Sequence, residues 1–153
     1  MKVIVIGNQK AFVDDVDFKR LSKIRWMLRI LPSGDIHARR GSVYMHHLVI
    51  GRPPAGKVVD HVNGNGLDNR LCNLRFCTRG ENCRNQVKRR HKKTSSKFKG
   101  VTWDKNRKKW SAQIMFKRKR YHLGRFKSQV AAAKAYDRGA IKLFKKYAHL
   151  NFL

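Results

Sequence analysis

Asp60 and His61 stand side by side in a stretch whose side chains could together hydrolyse a phosphodiester. The stretch from Val58 to Asn85 reads VVDHVNGNGLDNRLCNLRFCTRGENCRN. A hard divalent cation prefers oxygen ligands, which the Asp60 carboxylate and the Asn82 amide oxygen can supply. A neutral imidazole at His61 would then deprotonate the attacking water. The pattern therefore indicates metal-assisted hydrolysis with His61 as the base.

Secondary structure must bring these side chains together, because 21 residues separate Asp60 from Asn82. We predict a short strand at Lys57–Asp60, an Asn/Gly-rich loop, and a second strand at Leu74–Thr78. Thr78 begins the T-x-x-E spacing of a capping box, which predicts the start of a helix. In this order of strand, loop, strand and helix, Asn82 lies one turn into the helix and can face Asp60.

A simpler reading of the same residues involves no chemistry. Asp60 could begin an Asx-turn and His61 could pack in the core, with the many Asn and Gly residues only building a loop. Asn73 suits a supporting role in either case, its amide holding the loop or the imidazole. Composition alone does not decide between the two.

The stretch resembles the HNH nuclease family, especially the phage and intron homing endonucleases, whose sites read D-H-x-N-G-N-x-x-D-N-R-x-x-N-L-R. The residues that match in register are Asp60, His61, Asn63, Gly64, Asn65, Asp68, Asn69, Arg70, Asn73, Leu74 and Arg75. The resemblance implies a ββα-metal fold with His61 as general base and Asn73 as the central asparagine.

The same resemblance implies that Asp60 and Asn82 hold the metal. Asn82 stands where many of these enzymes have His, which implies a single-metal variant that uses Mg²⁺, or alternatively Mn²⁺. Tyr44–Leu48 is similar to the lead-in of these enzymes, but His47 replaces a common Arg. We assign no catalytic role to His46 or His47, because a packed or phosphate-contacting histidine is the more usual case.

The charge of the chain predicts a polyanionic partner. The 37 Lys and Arg against 9 Asp and Glu give a net charge of +28, which destabilises a compact chain unless an anion neutralises it. A membrane surface is the alternative, but the 16 basic residues from Lys88 to Arg125 are interleaved with aromatic residues and a single acid, Asp104. A folded basic domain that binds nucleic acid fits this distribution better.

The cysteines and the N-terminus predict a cytoplasmic protein. Three cysteines leave one unpaired in any disulfide scheme, which fits a reducing compartment. Their gaps lack the two-residue spacing of structural zinc sites, so we expect no structural zinc there. The apolar run Val3–Ile6 is too short for a signal peptide or a membrane span. The phage resemblance implies the cytoplasm of a host cell.

Four segments are predicted in an α+β chain. Residues 1–51 are strand-rich, with a hairpin turn signal at Pro32–Asp35. Residues 52–87 form the HNH core, residues 88–96 a basic linker, and residues 97–153 a DNA-binding domain. The linker residues expected to contact phosphates are Lys88, Arg89, Arg90, Lys92 and Lys93.

In the last segment, period-2 alternation predicts three antiparallel strands, and a helix follows from Ser128 to about Tyr147. One sheet face is apolar and would be covered by a helix stripe that recurs at four-residue spacing. The stripe consists of Ala132, Tyr136, Ala140 and Phe144.

This segment resembles the Apetala-type, or ethylene-response-factor, DNA-binding domain. The motifs that match are Lys99-Gly100-Val101, Lys109-Trp110, Leu123-Gly124-Arg125-Phe126, Ala132-Ala133, Ala135-Tyr136-Asp137 and Leu150-Asn151-Phe152. The resemblance implies that the sheet lies in the major groove of duplex DNA. The residues expected to face bases are Lys99, Thr102, Gln113, Met115, Arg120 and His122, and those expected to hold phosphates are Lys105, Arg107, Lys108, Lys117 and Arg118.

We therefore predict a site-directed endonuclease that acts on double-stranded DNA without an organic cofactor. One HNH site in a monomer predicts nicking, or double-strand cutting through a transient dimer. Two rivals stay open. The nuclease fold could serve only as a second DNA-binding surface in a transcription regulator, or the chain could bind RNA or package nucleic acid through charge alone.

Overall fold

The computed structural model describes residues 1–86 and 94–152 of the chain. The chain divides into two compact units, Met1–Asn82 and Cys83–Leu153. Both units mix helix and strand, and every pairing between strands is antiparallel among the described residues. No helix in these residues is long and apolar enough to cross a membrane.

The first unit contains three small sheets and short helices. Its elements are β1 (Lys2–Ile6), β2 (Gln9–Val13), α1 (Asp15–Leu21), β3 (Met27–Ile30), β4 (Ile36–Arg40), β5 (Val43–Tyr44), α2 (Met45–Ile50), β6 (Lys57–His61), the 3-10 turn Leu71–Asn73 and β7 (Leu74–Thr78). Helix α3 (Arg79–Asn85) follows directly, and the boundary between the units falls within it. The sheets are β1–β2, β3–β4–β5 and β6–β7.

The predicted N-terminal strands are present, and the Pro32–Asp35 turn joins β3 to β4 as expected. Helices α1 and α2 were not predicted, because each is only two turns or less and gives a weak periodic signal. The buried core of this unit consists of Ile4, Ile6, Ala11, Val13, Leu21, Trp26, Ala38, Met45 and Leu67.

The capping box at the start of α3 is confirmed. The Thr78 amide donates to the Glu81 carboxylate at 2.7 Å, and the Glu81 amide donates to the Thr78 hydroxyl at 3.2 Å. This reciprocal pair satisfies two amides at the helix end, where no backbone partner is available. It fixes where β7 ends and therefore where Asn82 lies on α3.

The second unit is a three-stranded antiparallel sheet packed on one helix. Its elements are β8 (Val101–Asp104), β9 (Lys109–Phe116), β10 (Lys119–Phe126), α4 (Gln129–Phe144) and the 3-10 turn Lys145–Tyr147, with strand order β10–β9–β8. Ser128 caps α4 by accepting from the Ala131 amide. The predicted helix stripe is confirmed, since all four of its residues are buried.

The chain end returns to α4 through Asp137, a buried carboxylate. Asp137 accepts from the amides of Asn151 and Phe152 at 2.9 and 3.0 Å. Asn151 in turn accepts from the Lys99 amide at 2.6 Å, immediately before β8. These bonds tie the entrance and the end of the unit together.

Gly100 tests how closely this unit is packed. Its φ is +72°, and a Cβ there would lie 1.9 Å from the Tyr136 ring. We expect Gly100→Ala to lower the free energy of unfolding by about 2–4 kcal/mol, the sum of left-handed backbone strain and overpacking. Denaturant unfolding followed by circular dichroism measures the change.

Gly34→Ala is the matched control. Gly34 also has a positive φ, of 90°, but a Cβ there would meet no atom within 4 Å among the described residues. The variant should carry only the strain component, about 1–2 kcal/mol. Equal losses in the two variants would contradict the close packing of Gly100 on Tyr136.

Candidate functional site

The end of β6 carries two adjacent buried polar side chains. Asp60 and His61 are only 3% and 6% exposed. Asp60 lies opposite Arg75 on β7, whose Nε and terminal nitrogen contact the Asp60 Oδ2 at 2.8 and 2.7 Å. A buried carboxylate needs such a partner, because an unpaired buried charge is strongly destabilising. The ion pair with Arg75 therefore offsets the cost of burying the Asp60 carboxylate at the strand end.

His61 is held as a neutral imidazole. Its Nε2 lies 3.5 Å from the Asn69 side-chain oxygen. Burial, reinforced by the neighbouring His37, lowers the pKa of His61 to about 4, while Asn69 and the carboxylates of Asp60 and Asp68 act in the opposite direction. The ring is thus able to accept a proton at neutral pH.

Asn73 closes the loop that follows His61. Its side-chain oxygen accepts from the Asn63 amide at 3.0 Å, and its side-chain nitrogen donates to the Asp68 carbonyl at 2.8 Å. The Val62 amide also donates to the Asn73 carbonyl at 2.9 Å. Of the two supporting roles that the sequence left open for Asn73, these contacts correspond to holding the loop.

Asp68 forms the second fixed point of this loop. It accepts from Arg70 at 2.8 and 2.7 Å and from the Asn63 side chain at 2.8 Å. The Asn69 amide donates to the Phe12 carbonyl on β2, and the Phe12 amide donates to the Leu67 carbonyl, both at 2.8 Å. The loop is thus attached to β2 by backbone bonds. Most of the polar motif residues build this loop, which leaves Asp60 and His61 at its entrance.

Asn82, the other expected metal ligand, is half-buried in α3. The carboxylate of Asp60 and the amide oxygen of Asn82 are each of the donor type that Mg²⁺ and Mn²⁺ prefer. Asn82 is positioned by the capping box described above.

Two further histidines surround His61. The centroid of the His61 ring lies 5.3 Å from that of His37 on β4 and 5.3 Å from that of His46 on α2. Burial, together with the three neighbouring histidines, lowers the pKa of His46 to about 2. The sequence pattern indicated neither His37 nor a grouping of these rings, because the three residues lie on three separate elements that only tertiary packing brings together. The ring centroid of a fourth histidine, His47, lies 4.5 Å from that of His46.

In the second unit, the sheet face opposite α4 is polar and open. Thr102, Met115, Arg120 and His122 are exposed, and Gln113 is half-buried. Cross-strand pairs join Gln113 to His122 and Met115 to Arg120. These five expected base-reading residues therefore lie on one face.

Three residues that the sequence did not single out for this face also lie on it. They are Asp104, Ser111 and Arg125. Ser111 pairs with Thr102 on one side and with Arg125 on the other, and its hydroxyl lies 3.3 Å from His122 Nε2. Arg125 donates to the Asp104 carboxylate at 3.0 Å. A register shift between His122 and Gly124 brings Arg125 onto the polar face, and a bulge of this kind has no clear sequence signal.

The five expected phosphate contacts lie in the two hairpin turns of the sheet, and all are exposed. Lys105, Arg107 and Lys108 join β8 to β9, and Lys117-Arg118 form a two-residue turn between β9 and β10. Lys108, Lys117 and Arg118 have positive φ values of 48°, 47° and 62°. Such backbone costs about 1–2 kcal/mol for a residue with a side chain. Strain of this kind concentrates at functional surfaces.

Lys99 is placed differently from its expected position. Its ammonium donates to the carbonyls of Arg84 and Gln86, each at 2.6 Å, at the end of α3. Burial lowers the pKa of Lys99 to about 8. A cation at a helix C-terminus compensates its unpaired carbonyls. Lys99 is therefore engaged within the protein, and we leave it out of the DNA-facing set.

The expected linker contacts Lys88, Arg89, Arg90, Lys92 and Lys93 lie outside the described residues. The three cysteines are free thiols, of which Cys77 is buried. Burial raises the pKa of Cys77 to about 11, so its thiol stays protonated.

Two protein-family profiles match the chain. A profile described as an HNH endonuclease matches residues 43–84, and one described as an AP2 domain matches residues 96–146. The first match covers the loop, the strand end with Asp60 and His61, and Asn82. The second covers the sheet and all of α4.

Protein 3.8 of Escherichia phage T7 is 31% identical over 85 residues, which cover 56% of this chain and 69% of that protein. APETALA2-like protein 2 of Oryza sativa subsp. indica is 37% identical over 67 residues, 44% of this chain and 15% of that protein. An AP2/ERF and B3 domain-containing transcription factor of Arabidopsis thaliana is 47% identical over 60 residues, which cover 38% of this chain and 17% of that protein. The chain thus spans only a small part of these plant proteins.

The low pKa values of the buried rings make a titration prediction. In the folded chain His61 should lose its proton near pH 4 and His46 near pH 2, against 6.5 for an unperturbed histidine. The unfolded chain then binds more protons below about pH 6.5, so the free energy of unfolding falls as the pH falls from there toward 4. Imidazole NMR in the presence of a chelator measures both midpoints.

The same rings in the urea-unfolded chain should titrate near the ordinary value and serve as the control. A His61 midpoint near 6.5 in the folded protein would show that the ring is not shielded from water.

The strained turn makes a second prediction. Replacing Lys117-Arg118 by Asn-Gly should stabilise the second unit by about 1–2 kcal/mol, because Asn-Gly adopts this turn without strain. The same change should weaken DNA binding and reduce the slope of log affinity against log salt by about 2, one for each lost phosphate contact. Unfolding curves and fluorescence anisotropy across a salt series measure the two effects.

A matched control removes two positive charges from the opposite side of the unit. Lys134→Gln with Arg138→Gln changes exposed residues of α4, the helix on the far face of the sheet. It should leave the salt slope nearly unchanged. An equal loss in both variants would mean that net charge alone, and not the turn, holds the DNA.

Proposed function

This chain belongs to the family of Protein 3.8 of Escherichia phage T7 and combines an HNH endonuclease domain with an AP2 domain, and on that premise we propose that it is a metal-dependent, site-directed endonuclease of duplex DNA. The observation that carries the proposal is the neutral, buried His61 at the end of β6, beside the Asp60 carboxylate that is paired with Arg75. This pair offers a proton acceptor and an anionic ligand at one place.

His61 is the proton acceptor in this proposal. Its lone pair is available at pH 7 because burial disfavours the charged ring. The proton gained from water would be stabilised by the carboxylates of Asp60 and Asp68, which already favour the charged form of His61. The Asn69 side-chain oxygen, 3.5 Å from Nε2, helps to orient the ring. Asn73 acts as a positioning residue, since it holds the loop next to His61.

Strands β6 and β7 followed by α3 would form the ββα-metal module of the HNH fold. Asp60 and Asn82 would hold the cation, Mg²⁺ or Mn²⁺, and their oxygen donors fit such an ion. When bound, a divalent ion lowers the pKa of a coordinated water and neutralises charge that develops on the phosphate. This contribution matters here because a base with a low pKa is most effective toward an acidified water.

The open face of the AP2 domain selects the site. Arg120 and Gln113 have the donor and acceptor groups that read guanine and adenine in the major groove, and Thr102, Met115 and His122 complete the face. Lys105, Arg107, Lys108, Lys117 and Arg118 hold the flanking phosphates. Arg125 and Ser111 extend this face beyond the residues expected from sequence.

A single site of this kind cuts one strand at a time. We propose nicking by a monomer, with double-strand cutting reached through two nicks or a transient pair, as in enzymes of the homing-endonuclease type. The proposal includes action in the cytoplasm of a host cell, which the similarity to a phage protein supports.

A regulator that binds DNA without cutting it is the second candidate. It is favoured by the AP2 match and by the plant relatives that are named as transcription factors. An RNA-binding protein is a third class, which competition between duplex DNA and RNA distinguishes, because only the DNA duplex offers a readable major groove.

His61→Ala tests the nuclease directly. With magnesium or manganese, the wild-type protein should convert supercoiled plasmid to relaxed product, and His61→Ala should slow this by about 10²–10⁴-fold, the usual worth of a general base. Excess chelator should stop the wild type. A mobility-shift assay should show unchanged DNA binding by the variant.

His47→Ala is the control, since His47 is a nearby histidine to which we assign no role. It should nick at the wild-type rate. If both the wild type and His61→Ala shift the mobility of the plasmid but leave it intact with every metal, the result would favour the regulator.

A further inference from the structure

Three imidazoles converge around the end of β6 in a way that general-base catalysis does not require. His37 comes from β4, His46 from α2 and His61 from β6. One nitrogen of each ring lies within 4.8 Å of the corresponding nitrogens of the other two. A base needs one imidazole and one orienting group, and Asn69 already lies beside His61. The other two rings call for a separate explanation.

The burial of His37 adds a second observation. Its Nδ1 is buried and has no hydrogen-bond partner among the described residues. Buried polar atoms are nearly always satisfied, and leaving one without a partner is destabilising. A ring nitrogen in this state has no competing hydrogen bond to lose if an ion binds to the cluster.

Gly66 allows the His37 ring to reach this position. A Cβ at Gly66 would lie 2.7 and 2.8 Å from two atoms of the His37 imidazole. The motif loop therefore leaves room for His37 through the absence of a side chain. The same loop sets the position of His61, so its fold brings the two rings together.

The ligand chemistry favours a borderline transition metal over magnesium. Three neutral imidazoles suit Zn²⁺, Cu²⁺ or Ni²⁺, whereas Mg²⁺ prefers oxygen ligands. Zinc–nitrogen bonds of about 2.0–2.1 Å in tetrahedral geometry place the nitrogens roughly 3.4 Å apart. Because the nitrogens now lie within 4.8 Å of one another, they would approach by at most about 1.4 Å. The carboxylates of Asp60 and Asp68 act on His61 and reduce the repulsion that a cation meets in this basic chain.

We propose that His37, His46 and His61 form a zinc-class metal site whose occupation switches off the nuclease by taking the lone pair of His61. The metal-binding part is independent of the proposed function, and the inhibitory part rests on it. The hard-metal site at Asp60 and Asn82 and this nitrogen site would then select different ions. Zinc acts at the base itself and leaves the DNA-binding face untouched.

Binding is tested first and without any activity assay. Zinc titrated into the wild-type protein should shift the ring ¹⁵N resonances of all three histidines at one equivalent. Cobalt should give the visible absorption of a tetrahedral nitrogen site without thiolate-to-cobalt charge transfer, which separates it from binding to Cys72 or Cys83. Absence of these shifts, or charge-transfer absorption alone, would overturn the site.

Variants at His37 provide the second measurement. His37→Gln and His37→Phe should weaken zinc affinity by about 100-fold or more, because loss of a ligand exceeds the effect of losing a supporting contact. His37→Phe keeps a ring against Gly66 and guards against loss of packing. His149→Gln, a half-buried histidine of the second unit, is the matched control and should bind zinc as the wild type does. Wild-type affinity in both His37 variants would reject the proposal.

The inhibitory part is measured as a ratio of rates. Nicking with magnesium is compared with and without one equivalent of zinc for each protein, so that differences in basal rate cancel. Zinc should lower the nicking rate of the wild type and of His149→Gln at least about tenfold. The nicking rate of the His37 variants should not change with zinc. Zinc binding by wild type without any fall in rate would overturn the switch. A wild type that never nicks would refute the proposed function, while the ¹⁵N shifts still decide the metal site.

Discussion

The side-chain amide of Asn73 is the contact on which the candidate site depends. It bonds to the backbone on both sides of the loop between β6 and β7, so a segment of Asn, Gly and Asp acquires one conformation without a hydrophobic interior. Asp68 and the backbone of Phe12 add two further attachments. His61 directly precedes this loop, Asn69 lies within it, and Gly66 of the loop contacts the His37 ring. The orientations of His61, Asn69 and His37 therefore all depend on the same set of hydrogen bonds. A loop built from amides can thus act as rigid support.

Charge is distributed in two opposite ways within the chain. The AP2 domain places cations on an exposed face, where they remain charged and solvated until DNA replaces the solvent. The first unit holds three imidazoles, His46 and His61 buried and His37 half-buried, whose pKa values burial lowers, next to the carboxylate of Asp60 that is paired with Arg75. In the proposed function, attraction to the polyanion and proton transfer would therefore use different groups. A basic protein can hold DNA strongly through one part and still present an uncharged base through the other.

Features set by local sequence were predictable. Strand alternation gave the two faces of the AP2 sheet, and the T-x-x-E spacing gave the start of α3. Features that depend on how separate elements meet were not. His37 and His46 reach His61 only because β4, α2 and the motif loop pack together, and no periodicity encodes that approach. Arg125 changes face through a bulge, and Lys99 leaves the DNA-facing set because the end of α3 provides carbonyl acceptors.

The turn at Lys117 and Arg118 has an evolutionary consequence. Random substitution toward Asn and Gly would relieve its backbone strain, so selection for folding alone tends to erase the two basic residues. Only a demand at the hairpin tip that outweighs this tendency can retain them. In diverging descendants of this chain, the residues at these two positions would therefore record whether the proposed contact of the turn with DNA is kept, even where the rest of the domain keeps its fold.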